Sequence, residues 1–209
     1  MKAVKWGEGC PGPSSERGKK CQRRITFMDE MARPVKTGTV VAVCISPARD
    51  FPKFPQLLVH MAVHGIVGDA HAVAPINPVS GTRVVRYLRA VSIVADEVRQ
   101  DLNATLGLQL QPGQFNENLL VAGLGDLSDI EAGDRLLLSG GVILEVTAQN
   151  FPCTKLQAFT CPGIIQATSK KVYDDTLMNR RGLVAAVVQS GPARPGEIVI
   201  LERDQPKRS

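Results

Sequence analysis

Short runs of β-branched and other apolar residues, separated by glycine and proline, recur along this chain of 209 residues. Val, Ile and Thr favour strands, whereas Gly and Pro favour turns and interrupt strand pairing. Asp96 and Glu97 suit the first turn of a helix over 95–106, which Gly107 can end. A second, short helix is predicted over 164–173. The pattern therefore predicts a mainly β fold, a barrel or a sandwich, with a few short helices. The clearest strand candidates are 38–45, 89–94, 142–147, 182–189 and 197–201.

The charge of the chain is concentrated at its amino end. Residues 1–27 hold seven basic and two acidic side chains, which accounts for the whole net charge of +5. Residues 28–209 hold 18 of each sign, so this part has no overall attraction for nucleic acid. The tail also lacks a hydrophobic pattern, and we expect residues 1–33 to be a disordered basic extension. Residues 34–209 are then expected to form one domain.

The cysteine content and the hydropathy of the sequence indicate where in the cell the protein is expected. Five cysteines in a chain of this length do not make a disulfide framework, which favours a reducing, cytoplasmic location. No apolar stretch has the length of a membrane span, so we expect no membrane partner.

A single thiol follows the strand predicted at 142–147, within the segment 149–156 (QNFPCTKL). Pro152 has no backbone N–H and ends strand pairing, so we expect Cys153 just past a strand end, where sites are commonly built. A thiolate there can bind a soft metal or act as a nucleophile. The alternative is a small buried hydrophobe, because cysteine is among the most buried residue types.

Six short motifs occur in a characteristic order along the chain. They are GIVGDAH (65–71), RAVSIV (89–94), GQFNENL (113–119), GDRL (133–136), VILEVT (142–147) and PCTKL (152–156). This ordered set closely resembles the MOSC domain family, named after the C-terminal domain of molybdenum cofactor sulfurases, and its small stand-alone bacterial-type members in particular. The resemblance extends from about residue 38 to residue 201 and implies a MOSC-type β-barrel with a few short helices.

The resemblance also implies a set of site residues. The family's functional cysteine falls on Cys153, which would be both the catalytic thiol and the molybdenum ligand. Arginine can bind a pterin phosphate with two parallel hydrogen bonds, and an asparagine can contact the edge of a pterin. Glu117 would accept a bond from the pterin or orient an arginine, and Asn116 stands where the family usually has Gly or Ala. The residues implied for cofactor binding are Arg89, Ser92, Phe115, Glu117, Asn118, Thr154, Arg181 and His71.

Each of these residues also has a purely structural interpretation. The arginines can be solvated charges at strand ends, and Asn118 can bond to loop backbone. His60 and His64 have the spacing of a zinc pair on a helix, but their segment does not predict a helix and no third ligand stands at a standard spacing. His71 is the histidine expected to face a pocket, and Asp69 can fix a turn or orient it.

By this resemblance the chain is a molybdenum-dependent enzyme that reduces N-hydroxylated or N-oxide compounds. The expected cofactor is molybdenum held by molybdopterin, and no requirement for pyridoxal phosphate is expected. No flavin, haem or iron–sulfur motif is visible, so the expected partners are a small-molecule substrate and a separate electron-donor protein. The chain would be a monomer or a homodimer. The alternatives are a carrier of sulfur or of the cofactor, with a persulfide on Cys153, and a ligand-binding barrel without catalysis.

Overall fold

The computed structural model of the protein describes residues 35–49, 52–75, 80–82, 86–151 and 180–204. Within these ranges the chain is mainly β, as predicted, with eleven strands and one helix. The elements are β1 (Thr37–Ile45), β2 (Phe54–Gln56), β3 (Val59–Ala62), β4 (Gly65–Ile66), β5 (Val91–Ala95), α1 (Asp96–Leu106), β6 (Leu119–Ala122), β7 (Arg135–Leu138), β8 (Ile143–Gln149), β9 (Leu183–Gln189), β10 (Gly191–Ala193) and β11 (Ile198–Glu202).

Seven of these strands close into a barrel. Its order is β1, β11, β7, β8, β9, β5 and β6, with β6 pairing back to β1. Every neighbouring pair is antiparallel except β5 and β6, which are parallel and joined through α1. A parallel pair needs a crossover connection, which the helix supplies. The prediction of a barrel is therefore confirmed.

The other strands lie outside the closed ring. β2 pairs with the end of β1, while β3, β4 and β10 form a separate three-stranded sheet. Closing the barrel leaves few free edges, and Pro55 in β2 and Pro192 in β10 suit the short outer strands because proline cannot donate a ladder hydrogen bond.

The core is aliphatic and follows the alternation of the strands. In β11, Val199 and Leu201 are buried while Ile198 and Ile200 are exposed. The prediction of α1 is confirmed. The helix begins at Asp96 and ends at Leu106, and the next residue, Gly107, caps it: its left-handed conformation (φ +64°) lets its N–H bond to the carbonyl of Asn103. At 11 residues, this helix of the described part is neither long nor apolar enough to span a membrane.

Candidate functional site

A pocket of about 230 Å³ lies where residues just before β2, β6 and β9 meet the residues after β8. Its lining includes three cationic side chains, and none of the described residues in that lining carries a carboxylate. Such a surface favours an anionic ligand. The lining residues are Lys53, His71, Tyr87, Arg89, Ser92, Asn116, Asn118, Asn150, Phe151, Arg181 and Val184. The sequence-predicted residues among them are Arg89, Ser92, Asn118, Arg181 and His71.

The side chain of Asn118 forms hydrogen bonds to residues in and next to the pocket. Its Oδ1 accepts from the backbone N–H of Ser92 (3.2 Å), and Ser92 Oγ lies 3.0 Å from the same oxygen. Its Nδ2 donates to the carbonyl of Cys44 and to Asp69 Oδ2, both at 3.1 Å. Both N–H donors of the Asn118 side chain are therefore engaged within the protein. The side chain links Ser92 of the pocket lining to Asp69.

A buried ion pair joins the pocket to the segment GIVGDAH. Lys53 Nζ lies 2.6 Å from Asp69 Oδ2, and each side chain is only 2% exposed. Burial alone would raise the pKa of Asp69, but the hydrogen bond and charge of Lys53 and the N–H groups of His71 and Ser46 outweigh it and lower that pKa. The carboxyl is therefore ionised at neutral pH, with Lys53 as its counterion.

Sequence reasoning missed Lys53. It lies between prolines in an irregular connection, where a lysine is expected to be solvated. The only signal is its position between Phe51 and Phe54 in the sequence FPKFP, and that does not reveal a buried partner 16 residues away.

Residues 113–117 form a tight loop that contributes Asn116 to the pocket lining. Gly113 has φ +89° and Asn116 has φ +61°, a conformation that asparagine tolerates better than most residues and that glycine adopts freely. This explains how Asn116 fits where the family usually has a small residue. Glu117 is fully buried, and its Oε1 accepts the N–H of Gly113 at 2.5 Å. Burial raises the pKa of Glu117, against the opposing effects of the Gly113 N–H and the Arg181 charge.

Phe115 and Glu117 were predicted to bind cofactor, with orientation of an arginine as the alternative for Glu117; both are buried, and neither is in the pocket lining. Arg181 is held by the same loop. Its Nη2 donates to the carbonyl of Phe115 at 2.5 Å, and its guanidinium carbon lies 5.7 Å from the centre of the Phe115 ring. Phe115 therefore supports Arg181, which lines the pocket although it is only 5% exposed.

The remaining predicted side chains are more accessible. Arg89 is exposed at the pocket mouth. His71 is 43% exposed, and its Nδ1 lies 3.3 Å from Asp69 Oδ1. His60 lies in β3 and His64 in the turn after it, so their spacing is that of a hairpin and not of a helix.

Cys153 and Thr154, together with Cys161 and the helix predicted over 164–173, lie outside the described residues. The described chain reaches the pocket lining at Phe151, two residues before Cys153 in the sequence, and Phe151 is 67% exposed. Cys44, in β1, is a buried free thiol whose pKa is raised to about 12 by burial and by the nearby Glu117. It belongs to the core, as its place in a strand predicts.

Comparison with known proteins assigns the chain to a family. The family model of the MOSC domain matches residues 63–200. No curated protein matches the sequence.

Three solved structures share the fold. The YuaD protein from Bacillus subtilis is 21% identical, with a TM-score of 0.67 over 82% of this chain and 99% of that chain. A hypothetical protein is 18% identical, with a TM-score of 0.56 over 80% and 69%. YiiM from Geobacillus stearothermophilus is 17% identical, with a TM-score of 0.50 over 80% and 75%. At these identities the likeness establishes the fold alone.

Proposed function

This chain belongs to the MOSC domain family, whose members bind the molybdenum cofactor or act in related sulfur chemistry, and from that premise we propose a specific activity. The protein binds the molybdenum cofactor and reduces N-hydroxylated or N-oxide compounds with electrons from a separate donor protein. The observation that carries the proposal is the pocket, in which Lys53, Arg89 and Arg181 converge.

The described residues fit the anionic end of a phosphorylated pterin. Lys53 is already paired with Asp69, so the charge that meets a phosphate comes mainly from Arg89 and Arg181, whose guanidinium groups can bind it with paired hydrogen bonds. Asn116 also lines the pocket, and its side-chain oxygen is buried without a hydrogen-bond partner among the described residues. A pterin N–H would satisfy that acceptor. The volume of about 230 Å³ is below the roughly 300–1,000 Å³ of whole small-molecule sites, so these residues would hold the phosphate and the adjoining pterin edge.

The chemistry that the bound cofactor would supply is redox chemistry coupled to oxygen-atom transfer. Cys153 is the residue proposed to hold the molybdenum, because a thiolate is a soft ligand suited to a metal that already bears sulfur. For an N-hydroxylated substrate, the N–O bond breaks, an N–H bond forms and the oxygen leaves as water. The balance requires two electrons from the donor protein and two protons.

Other lining residues would serve the substrate. Tyr87, Val184 and Phe151 give the pocket an apolar side that suits an uncharged organic molecule. His71 can supply a proton, since an imidazole whose Nδ1 faces Asp69 keeps Nε2 for exchange with a ligand. Asn150, whose N–H donates to the carbonyl of Gly182 at 2.7 Å, fixes the chain where it enters the Cys153 segment.

The rival function is a carrier of sulfur or of the cofactor, with a persulfide on Cys153. A sulfur carrier needs the same thiol but gives no reason for a pocket lined by three cations. A cofactor carrier would contain molybdenum but would not reduce an N-hydroxylated substrate, so a turnover assay separates it from the enzyme. The enzyme and the sulfur carrier are separated by assaying molybdenum, pterin and cyanide-labile sulfur in the full chain purified from a host that makes the cofactor. We expect near-stoichiometric molybdenum and pterin, and neither in protein from a host that cannot make the cofactor. Labile sulfur without molybdenum would overturn the proposal in favour of the carrier.

A further inference from the structure

Asp69 does not line the pocket, yet its carboxylate binds three residues that do. Oδ2 accepts from Lys53 Nζ at 2.6 Å and from Asn118 Nδ2 at 3.1 Å. Oδ1 accepts the backbone N–H of His71 at 2.9 Å and lies 3.3 Å from the Nδ1 of the same residue. The N–H of Ser46, at 3.2 Å from Oδ2, completes the set of donors. One carboxylate thus fixes one side of the pocket.

Fold stability alone does not account for this arrangement. Removing two charges from water costs several kcal/mol for each ion, and replacing a buried ion pair by apolar residues is often neutral or stabilising. The Lys53–Asp69 pair is buried on both sides, with each side chain 2% exposed. An apolar pair in its place would remove the lysine from the pocket lining, to which Lys53 contributes.

We propose that Asp69 is the positioning residue of the pocket, holding Lys53, Asn118 and His71 in the arrangement that receives an anionic ligand. The inference rests on the proposed function only for the identity of that ligand. Through Asn118 the effect extends to Ser92, because the amide that donates to Asp69 also accepts from the Ser92 backbone. Without the carboxylate, Lys53 is a buried charge with no counterion at this distance among the residues that the structure describes, and it leaves the lining or loses its proton.

The chain contains a matched control. Asp134 is also buried: counted over the whole residue, it is 4% exposed and Asp69 is 6% exposed. It pairs with a cation, Arg203 Nη1, at 2.8 Å, and accepts the N–H groups of Glu131 and Asp204 at 3.0 and 2.8 Å. None of these partners lines the pocket. Asp134→Asn therefore removes a comparable buried carboxylate without touching the ligand site.

The test uses the full chain without cofactor and inorganic phosphate as the probe, with affinity measured by titration calorimetry and unfolding by heat. Asp69→Asn should weaken phosphate binding about tenfold or more, as expected when charge-assisted donors lose their alignment. Asp134→Asn should lower the unfolding midpoint but keep the wild-type affinity. If the Asp69→Asn protein keeps wild-type affinity, or both variants lose affinity equally, the inference is wrong.

A double variant shows whether Asp69 acts through Lys53. Asp69→Asn/Lys53→Met carries no unpaired charge, so it remains usable if Asp69→Asn alone does not fold. Its loss of phosphate affinity, as a free energy, should be smaller than the sum of the losses in Asp69→Asn and Lys53→Met, because the part of the Asp69 effect that acts through the lysine is absent without it. Losses that simply add would contradict the inference.

The outcomes of these experiments distinguish a failure of this inference from a failure of the proposed function. If Asp69→Asn loses phosphate while purified wild-type protein contains no molybdenum or pterin, the inference stands and the proposed function fails. If the wild-type protein binds no phosphate, the pocket is not an anion site and both are overturned.

Discussion

Gly113→Ala is predicted to destabilise the protein through a backbone collision beside the pocket. Gly113 has φ +89°, and a Cβ built there would lie 2.1 Å from the carbonyl oxygen of Lys53 and 2.8 Å from its carbonyl carbon. Both atoms are backbone, so neither can rotate away as a side chain would. Either the loop 113–117 or the segment that carries Lys53 must move, and both belong to the pocket.

The expected magnitude has two parts. A left-handed conformation costs an L-residue about 1–2 kcal/mol, and overpacking a filled site costs about 1–3 kcal/mol. Gly113→Ala should therefore lose about 2–5 kcal/mol of unfolding free energy. Gly196 is the matched control, since its φ is +86° but a Cβ there would meet nothing within 4 Å. Gly196→Ala should lose only the conformational part, about 1–2 kcal/mol.

Urea unfolding of the wild type and the two variants measures the difference. We expect Gly113→Ala to be the less stable variant by about 1–3 kcal/mol, with an unchanged dependence on urea concentration. Its phosphate affinity should also fall, because the displaced segment carries Lys53. Equal stability of the two variants would refute the claim that close contact between Gly113 and Lys53 fixes this side of the pocket.

Three further predictions concern charged and ionisable residues. Arg181→Ala and Arg89→Ala should each reduce cofactor affinity about ten- to a hundredfold, since a charged hydrogen bond contributes about 1.5–3 kcal/mol; unchanged cofactor content after gel filtration would remove that arginine from the site. Burial raises the pKa of Glu117 above its usual 4.5, so Glu117 contributes stability below that pH and loses it as the pH rises through the higher folded-state pKa. Glu117→Gln should therefore gain stability relative to the wild type as the pH rises above 4.5, as urea unfolding at each pH will show, and parallel pH profiles would contradict this. Because the pKa of Cys44 is raised to about 12, iodoacetamide should label Cys44 only in unfolded protein, and mass spectrometry showing label on the native chain would count against its core position.

The barrel strands were predictable because each carries its own local signal. Alternation and β-branched content predict strands near β1, β5, β8, β9 and β11, and the charge and glycine pattern predicts α1. The closure of the barrel is not local: β11 pairs with β1, so that Thr37 faces Ile200 across most of the sequence. The three residues of β2 and the two of β4 are too short for a periodic signal.

Several residues of the candidate pocket lining were predictable in the same way. The motifs brought Arg89, Ser92, Asn118 and Arg181 to one pocket, because each lies at or beside a strand end that the fold gathers. They did not tell which side chains reach the pocket and which are buried behind a neighbour, as Phe115 is beside Arg181. Lys53 was missed because its burial depends on Asp69, a distant partner that composition cannot reveal.

The measurement that tests the account most directly is turnover of an N-hydroxylated substrate by Cys153→Ser purified from a host that makes the cofactor, with a reduced viologen as the electron source. Serine oxygen is a harder and much less acidic ligand than thiolate. We therefore expect molybdenum content and turnover to collapse while the unfolding midpoint stays near that of the wild type. Cys161→Ser is the matched control and should keep both molybdenum and turnover. Full activity in Cys153→Ser would contradict the assignment of this thiol as the molybdenum ligand.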